Sequence, residues 1–298
     1  DAVFAISLEV DWIALSFVRH SDDLKELRDL IEAHADYKIP IIAKIEMPEA
    51  LLNIDKIIAY CDALMVARGD LGVEIPYQNV PLVQKMIIKK SMLHAKPVIV
   101  ATQMMESMIT NVSPTRAEVN DVANAVLDGA DAVMLSGETS VGKFPVEVIK
   151  TMSNIVTEME TFDNLFNKEE LPQKNDSRFI TDSICFNAAR LANRVEAKAI
   201  LTMSFSGYTA YKIASQRPKA KIFVFTSNKQ ILTQLNLIWG VRGFYYDRTV
   251  STDDTIADIK KLLKKEGSLA KNDLVINIAS MPIEAHGNSN MLKLSYVE

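Results

Sequence analysis

Short apolar runs of strand length punctuate the first half of the chain: Trp12 to Leu15, Ile39 to Ile45, Leu64 to Ala67, Val98 to Ala101 and Ala132 to Leu135. They are rich in Ile, Val and Leu, as strands covered on both faces are. Between them apolar residues recur at helical spacing. Ser21-Asp22-Asp23 predicts the start of a helix with Leu24, Leu27, Leu30 and Ile31 inward. Pro81 opens a second with Val83, Met86, Ile87 and Met92, and Pro114-Thr115 a third with Val119, Val122, Ala123 and Val126, stopped by Gly129. Such alternation predicts parallel strands joined by crossover helices, a pattern shared by a closed barrel and a doubly wound open sheet.

Polar residues favour the barrel. They follow nearly every strand: Ser16-Phe17-Val18-Arg19, Lys44-Ile45-Glu46, Arg68-Gly69-Asp70, Thr102-Gln103 and Ser136-Gly137-Glu138-Thr139. In a (β/α)8 (TIM) barrel the C-terminal strand ends build the active site. The expected α/β fold is therefore a partial barrel, about the last five βα units of eight, spanning residues 1–157. A polar stretch from Glu158 to Asn175 reads as a tether. Residues 176–298 then form an α/β domain with a mixed, mostly parallel sheet. Its strands are Ala199 to Met203, Ile222 to Phe225, Gly243 to Tyr246, Leu274 to Ile278 and an edge strand, Met291 to Val297. Thr181 to Val195 is read as a helix with Ile184, Ala188, Leu191 and Val195 inward. Further helices are expected over Thr209 to Gln216, Lys229 to Asn236 and Thr252 to Glu266.

Composition narrows the class. A chain of 298 residues, 48% hydrophobic and 24% charged, suits two globular domains. A net charge of −5 supplies no positive field for nucleic acid or an anionic membrane. Two cysteines, Cys61 and Cys185, make neither a disulfide framework nor a zinc site, as a reducing cytoplasm favours. No apolar run reaches the roughly 18 residues of a membrane span. The chain lacks an initial Met and opens in mid-amphipathic pattern, so its beginning is expected to be missing.

Residues two apart in a strand face the same way, so Lys44 and Glu46 project together while Ile41, Ala43 and Ile45 take the other face. A Lys beside a Glu inside a barrel is either reactive machinery or a space-filling ion pair. Asp70 adds a carboxylate after the next strand, and Gly69 and Gly72 permit close backbone approach and positive φ. Glu46 and Asp70 together would hold a divalent ion in the way Mg²⁺ is usually bound. Thr102 places a hydroxyl where it would touch a substrate carboxylate, relay a proton, or merely turn the chain. Ser-Pro-Thr-Arg-Ala-Glu118 reads as a capping box.

Taken together, Ala-Lys44-Ile-Glu46, Met-Val-Ala-Arg68-Gly69-Asp70-Leu-Gly-Val-Glu-Ile-Pro76, Lys96-Pro-Val-Ile-Val-Ala-Thr102-Gln-Met, Pro114-Thr-Arg-Ala-Glu118 and Met134-Leu-Ser-Gly-Glu-Thr139 resemble the pyruvate kinase family in order and spacing. The resemblance implies glycolytic phosphoryl transfer from phosphoenolpyruvate to ADP, giving pyruvate and ATP. It implies catalytic roles for Lys44 and Thr102, and substrate binding by Lys44, Gly69, Asp70 and Thr102. It implies Mg²⁺ on Glu46 and Asp70, and K⁺ on ligands that the family carries N-terminal to the residues present. A homotetramer is implied as well. The family's chain begins with about three further barrel strands and an inserted small β domain, so these residues alone are expected to be catalytically incomplete. Two rivals stay open: a Mg²⁺-dependent lyase on the same barrel, and a non-catalytic association or effector module.

The second half holds one more candidate. Ser204-Phe-Ser206-Gly207-Tyr208-Thr209 runs from a strand into a helix, and its hydroxyls and free N–H groups suit a phosphate or simply cap the helix. By resemblance the matching loop takes a sugar-phosphate effector. The opposite segment, Met281 to Asn288, lacks the Trp and Arg of bisphosphate binders and offers His286 and nearby Lys293, which favours a monophosphate or no effector.

Overall fold

In the computed structural model the chain falls into two compact units, Asp1–Leu165 and Phe166–Glu298. The structure describes residues 1–162, 165, 171–172, 174, 176–248, 251–281 and 288–298. In the first unit the order is α1 (Ala2–Ser7), β1 (Ile13–Leu15), α2 (Ser21–His34), β2 (Ile41–Ile45), α3 (Pro48–Leu52), α4 (Ile54–Tyr60), β3 (Ala63–Ala67) and α5 (Arg68–Glu74). There follow α6 (Val80–Leu93), β4 (Val98–Ala101), α7 (Arg116–Asp128), β5 (Ala132–Val133), α8 (Gly137–Ser140) and α9 (Pro145–Met159). The five strands pair in chain order, every neighbour parallel. Chain order with all-parallel pairing is the arrangement of consecutive barrel units, and it excludes the strand reversal of a doubly wound sheet.

Alternation along β2 decides where chemistry can go. Ile41, Ala43 and Ile45 are each 0% exposed and enter one core with Leu24, Ile57 and Val66. Fully burying an Ile is worth about 1.5–3 kcal/mol, so this face fixes which way the intervening Lys44 points. Helix starts carry their own signals. Asp23 in the first turn of α2 accepts the Arg19 and His20 N–H groups, capping the helix one residue before the expected Ser21. Thr115 and Glu118 form a reciprocal capping box on α7, and Gly129, at φ 101°, ends that helix.

The second unit contains α10 (Phe179–Arg194), β6 (Ala199–Met203), α11 (Tyr208–Ser215), β7 (Lys221–Thr226), α12 (Lys229–Gln234), β8 (Val241–Tyr245), α13 (Thr252–Lys265), β9 (Leu274–Ala279) and β10 (Met291–Tyr296). Its sheet runs β10-β9-β6-β7-β8, with β10 antiparallel at the edge and the other neighbours parallel. The mixed, mostly parallel sheet is as expected. On one face Phe225 stacks on Phe244 and meets Tyr246 edge-on.

Several local expectations need correction. α6 buries Gln84, Ile87, Ile88 and Ser91, leaving Val83, Met86 and Met92 at the margin. α10 buries Cys185, Phe186, Ala188, Ala189 and Ala192, while Ile184, Leu191 and Val195 are only half-buried. Arg68-Gly69-Asp70 follows β3 directly as the first turn of α5, and neither Gly69 nor Gly72 uses the positive φ that a glycine permits.

Candidate active site

The register sets the site. Leu15 lies opposite Ala43, Ile45 opposite Val66, and Ala67 opposite Ala101. Ser16, Glu46, Arg68 and Thr102 therefore leave the same end of four adjacent strands. This is the C-terminal end, where the polar residues were expected to gather.

Glu46 is buried, 1% exposed, and Lys44 is partly open. The Glu46 Oε2 accepts the Phe17 N–H at 2.7 Å. Its Oε1 lies 2.6 Å from Lys44 Nζ, at angles that make no hydrogen bond, so Oε1 is a buried oxygen in ionic contact only. The Lys44 ammonium donates instead to Ser16 Oγ at 2.8 Å. A buried carboxylate without a counter-charge would cost several kcal/mol, and the ammonium offsets it here. Phe17 has φ 55°, in the left-handed region that a bulky side chain rarely adopts.

A second cluster forms one strand further on. Thr102 Oγ1 accepts the Gly69 N–H at 2.8 Å and donates to the Ala101 carbonyl at 2.6 Å. A Cβ on Gly69 would meet Thr102 Oγ1 at 3.4 Å, ordinary contact distance, so the glycine allows close approach without being forced by a clash. Thr102 and Gln103 have φ 69° and 54°. Two successive non-glycine residues in this region store roughly 1–3 kcal/mol each. Asp70 is exposed on the first turn of α5, and its side chain makes no hydrogen bond or ion pair among the described residues. No group of three or more His, Cys, Asp or Glu side chains gathers among the described residues. The structure thus brings Lys44 to Glu46 and Gly69 to Thr102, while no direct contact ties Asp70 to Glu46.

Ser16 and Phe17 stood among the strand-end polar segments, but their grip on Lys44 and Glu46 was not legible, because the partners lie 28 and 29 residues away. Arg68 carries no signal of its own in the sequence beyond its place in the Met-Val-Ala-Arg68-Gly69-Asp70 run.

In the second unit Ser204, Ser206, Tyr208 and Thr209 line a cavity of about 320 Å³, with Arg178 and Arg248 also on its wall. Gly207, at φ 77°, donates its N–H to Ser204 Oγ at 3.0 Å, and the Tyr208 N–H reaches Ser206 Oγ at 3.5 Å. Thr209 is buried, and its hydroxyl meets Ser289 Oγ at 3.1 Å. Tyr208 donates its hydroxyl to Asp182 at 2.7 Å; burial and that carboxylate push the phenol well up. His286 and its neighbours 282–287 lie outside the described residues. Lys293 pairs with Asp253 at 2.6 Å.

Comparison with known proteins points to one family for both units. The family model "Pyruvate kinase, barrel domain" matches residues 1–149, and "Pyruvate kinase, alpha/beta domain" matches residues 182–295. A curated pyruvate kinase of Geobacillus stearothermophilus is 44% identical over 299 residues, covering 100% of this chain and 51% of its own length. One from Clostridium acetobutylicum is 42% identical, covering 100% of this chain and 63% of its own. The crystal structure of a pyruvate kinase from Cryptosporidium parvum superposes with TM-score 0.89 at 35% identity, over 99% of this chain and 60% of that one. The chain spans about half to three-fifths of the length of the relatives it matches.

Proposed function

The chain belongs to the pyruvate kinase family, and on that premise we propose that the whole protein transfers phosphoryl from phosphoenolpyruvate to ADP, giving pyruvate and ATP. The observation that carries this reading is the Lys44–Glu46 pair, strapped by Ser16 and Phe17 at the strand ends beside the Gly69–Thr102 contact. Phosphoryl transfer demands positioned charge more than covalent chemistry. Lys44 supplies a cation, held at a fixed place, for the transferring phosphoryl and the enolate oxygen. The Asp70 amide, with the Thr102 hydroxyl and Gly69 amide once these exchange their present internal hydrogen bonds for the ligand, orients the substrate carboxylate.

Glu46 and Asp70 suit a Mg²⁺ ion: a buried carboxylate oxygen that accepts no hydrogen bond and meets only the Lys44 ammonium stands at one strand end, and an unengaged carboxylate follows the next strand. Bound there with waters and phosphate oxygens, the ion would neutralise charge on the phosphates. The family's K⁺ has its ligands outside the matched segments. Homotetrameric assembly and a cytoplasmic, glycolytic setting belong to the same proposal; among the described residues, no helix is long and apolar enough to cross a membrane.

The test is ATP formation from phosphoenolpyruvate and ADP by the whole protein, with Lys44→Met compared on the folded fraction. Removing a preorganised cation from developing charge should lower turnover at least about 10²-fold. Near-parental turnover in the variant removes Lys44 from the chemistry, and carbon–carbon cleavage in place of ATP formation favours the lyase.

The Ser204–Thr209 loop is proposed as a phosphate effector site, supported by its cavity and the two arginines on the wall. Three hydrogen bonds already tie five of its polar groups to one another or to Ser289, which favours a single phosphate over two. Calorimetry with mono- and bisphosphate sugars should give heat with the former. Silence with both leaves helix capping as the account of these hydroxyls.

A further inference from the structure

Arg68 is the residue with the densest set of directed contacts near the site. Its side chain is 12% exposed. Nε donates to the Ala101 carbonyl at 3.3 Å, and Nη2 to the Thr102 carbonyl at 2.6 Å and towards Met104 Sδ at 2.8 Å. Nη1 donates to Asp121 Oδ1 on α7 at 2.7 Å. One planar guanidinium thus holds three of the four successive residues that run from the end of β4 into the turn after it, and is itself fixed by a carboxylate. Only an arginine offers donors in a rigid fork of this kind.

The held turn is the strained one, with Thr102 and Gln103 both at positive φ. A left-handed threonine reverts to an ordinary conformation unless its surroundings over-determine it. Here the carbonyl of Thr102 is gripped by Arg68, and its hydroxyl by the N–H of the next residue, Gly69. We infer that Arg68, locked by Asp121, is a positioning residue for Thr102: it keeps the turn left-handed and so aims the Thr102 hydroxyl and the Gly69 amide. This rests on the reading of those two groups as the cradle of the substrate carboxylate.

The experiment is steady-state kinetics on the whole protein, with KM for phosphoenolpyruvate and for ADP measured separately and thermal stability recorded alongside. Arg68→Lys keeps the charge and loses the fork. It should raise KM for phosphoenolpyruvate about 10-fold or more while changing KM for ADP less than about 2-fold, as misaimed carboxylate contacts would. Asp121→Asn leaves Arg68 on the turn but unlocked, and should give a smaller rise of the same kind. The double variant should be no worse than Arg68→Lys alone, since the two residues act in series. If Arg68→Lys does not fold, Asp121→Asn decides.

Thr102→Val is the control for the cradle. A parent that forms no ATP, or a Thr102→Val protein with parental KM, overturns the cradle and this inference with it. A raised KM in Thr102→Val with unchanged KM in Arg68→Lys and Asp121→Asn, whatever their stability, overturns the positioning role alone.

Discussion

A carboxylate with 1% exposure is tolerable only while something charged faces it, and for Glu46 that is the Lys44 ammonium. Lys44→Met therefore removes more than a reactive group. It should destabilise the first unit by several kcal/mol, at most about 5, because the charge on Glu46 is left uncompensated. Adding Glu46→Gln removes that charge and keeps an oxygen for the Phe17 N–H, so the double variant should recover most of the loss. Urea unfolding of the four proteins measures this; additive losses would mean that the pair is not coupled. This pair was legible in the sequence because strand alternation is local and the Ile positions declare the core face. The strain at Phe17, Thr102 and Gln103 was not legible, since positive φ at such residues is imposed by partners remote in the chain.

Between elements, side-chain ties set the fit. Asp62, which follows α4, accepts from Arg28 of α2 at 2.5 Å and from the Ile41 N–H of β2 at 2.9 Å, with Lys38 at 3.4 Å. Burial alone would raise its carboxyl; the Arg28 hydrogen bond, the Lys38 charge and the Ile41 N–H outweigh burial and hold it below the usual carboxylate value. A carboxyl depressed on folding contributes stability that is full above its unfolded value and vanishes as pH falls through the folded one. Stability should thus drop on acidification from about pH 4 downward. Asp62→Asn should cost roughly 1–3 kcal/mol at neutral pH and flatten that acid limb, as chemical denaturation at a series of pH values would record. Strands and helix ends were readable at this scale, the Thr115–Glu118 box among them. The inward faces of α6 and α10 differ from those that apolar spacing predicts. Gln84 and Ser91 are covered by neighbouring elements despite their polarity, and small alanines fill the crowded side of α10 where larger residues had been expected. Gly69 and Gly72 permit positive φ but sit inside α5 instead, since a helical glycine costs only about 1 kcal/mol relative to alanine.

For the molecule as a whole, the two thiols report on separate units, Cys61 on the first and Cys185 on the second. Both are buried, and burial pushes each thiol up to about 12, so neither offers thiolate in the folded state. Iodoacetamide at pH 8 should spare both until denaturant opens the unit that holds them, as peptide mass spectrometry would follow. Labelling of either in native protein at the rate of a free thiol would refute its burial. The division into a parallel and a mixed sheet was readable from strand spacing. The cavity beside Ser204–Thr209 was not, because its wall draws on residues from 178 to 289.

One strand, β2, serves two purposes at once: odd positions fill the core, and Lys44 with Glu46 beyond the strand end carries the charge. Such a strand has tolerance for exchange and none for length. Swapping a side chain edits one face, whereas losing or gaining a single residue upstream inverts every position, pushing the ammonium into the hydrocarbon and an isoleucine into the cleft. Diversification at this site should proceed by substitution, with insertions and deletions confined to the connecting segments.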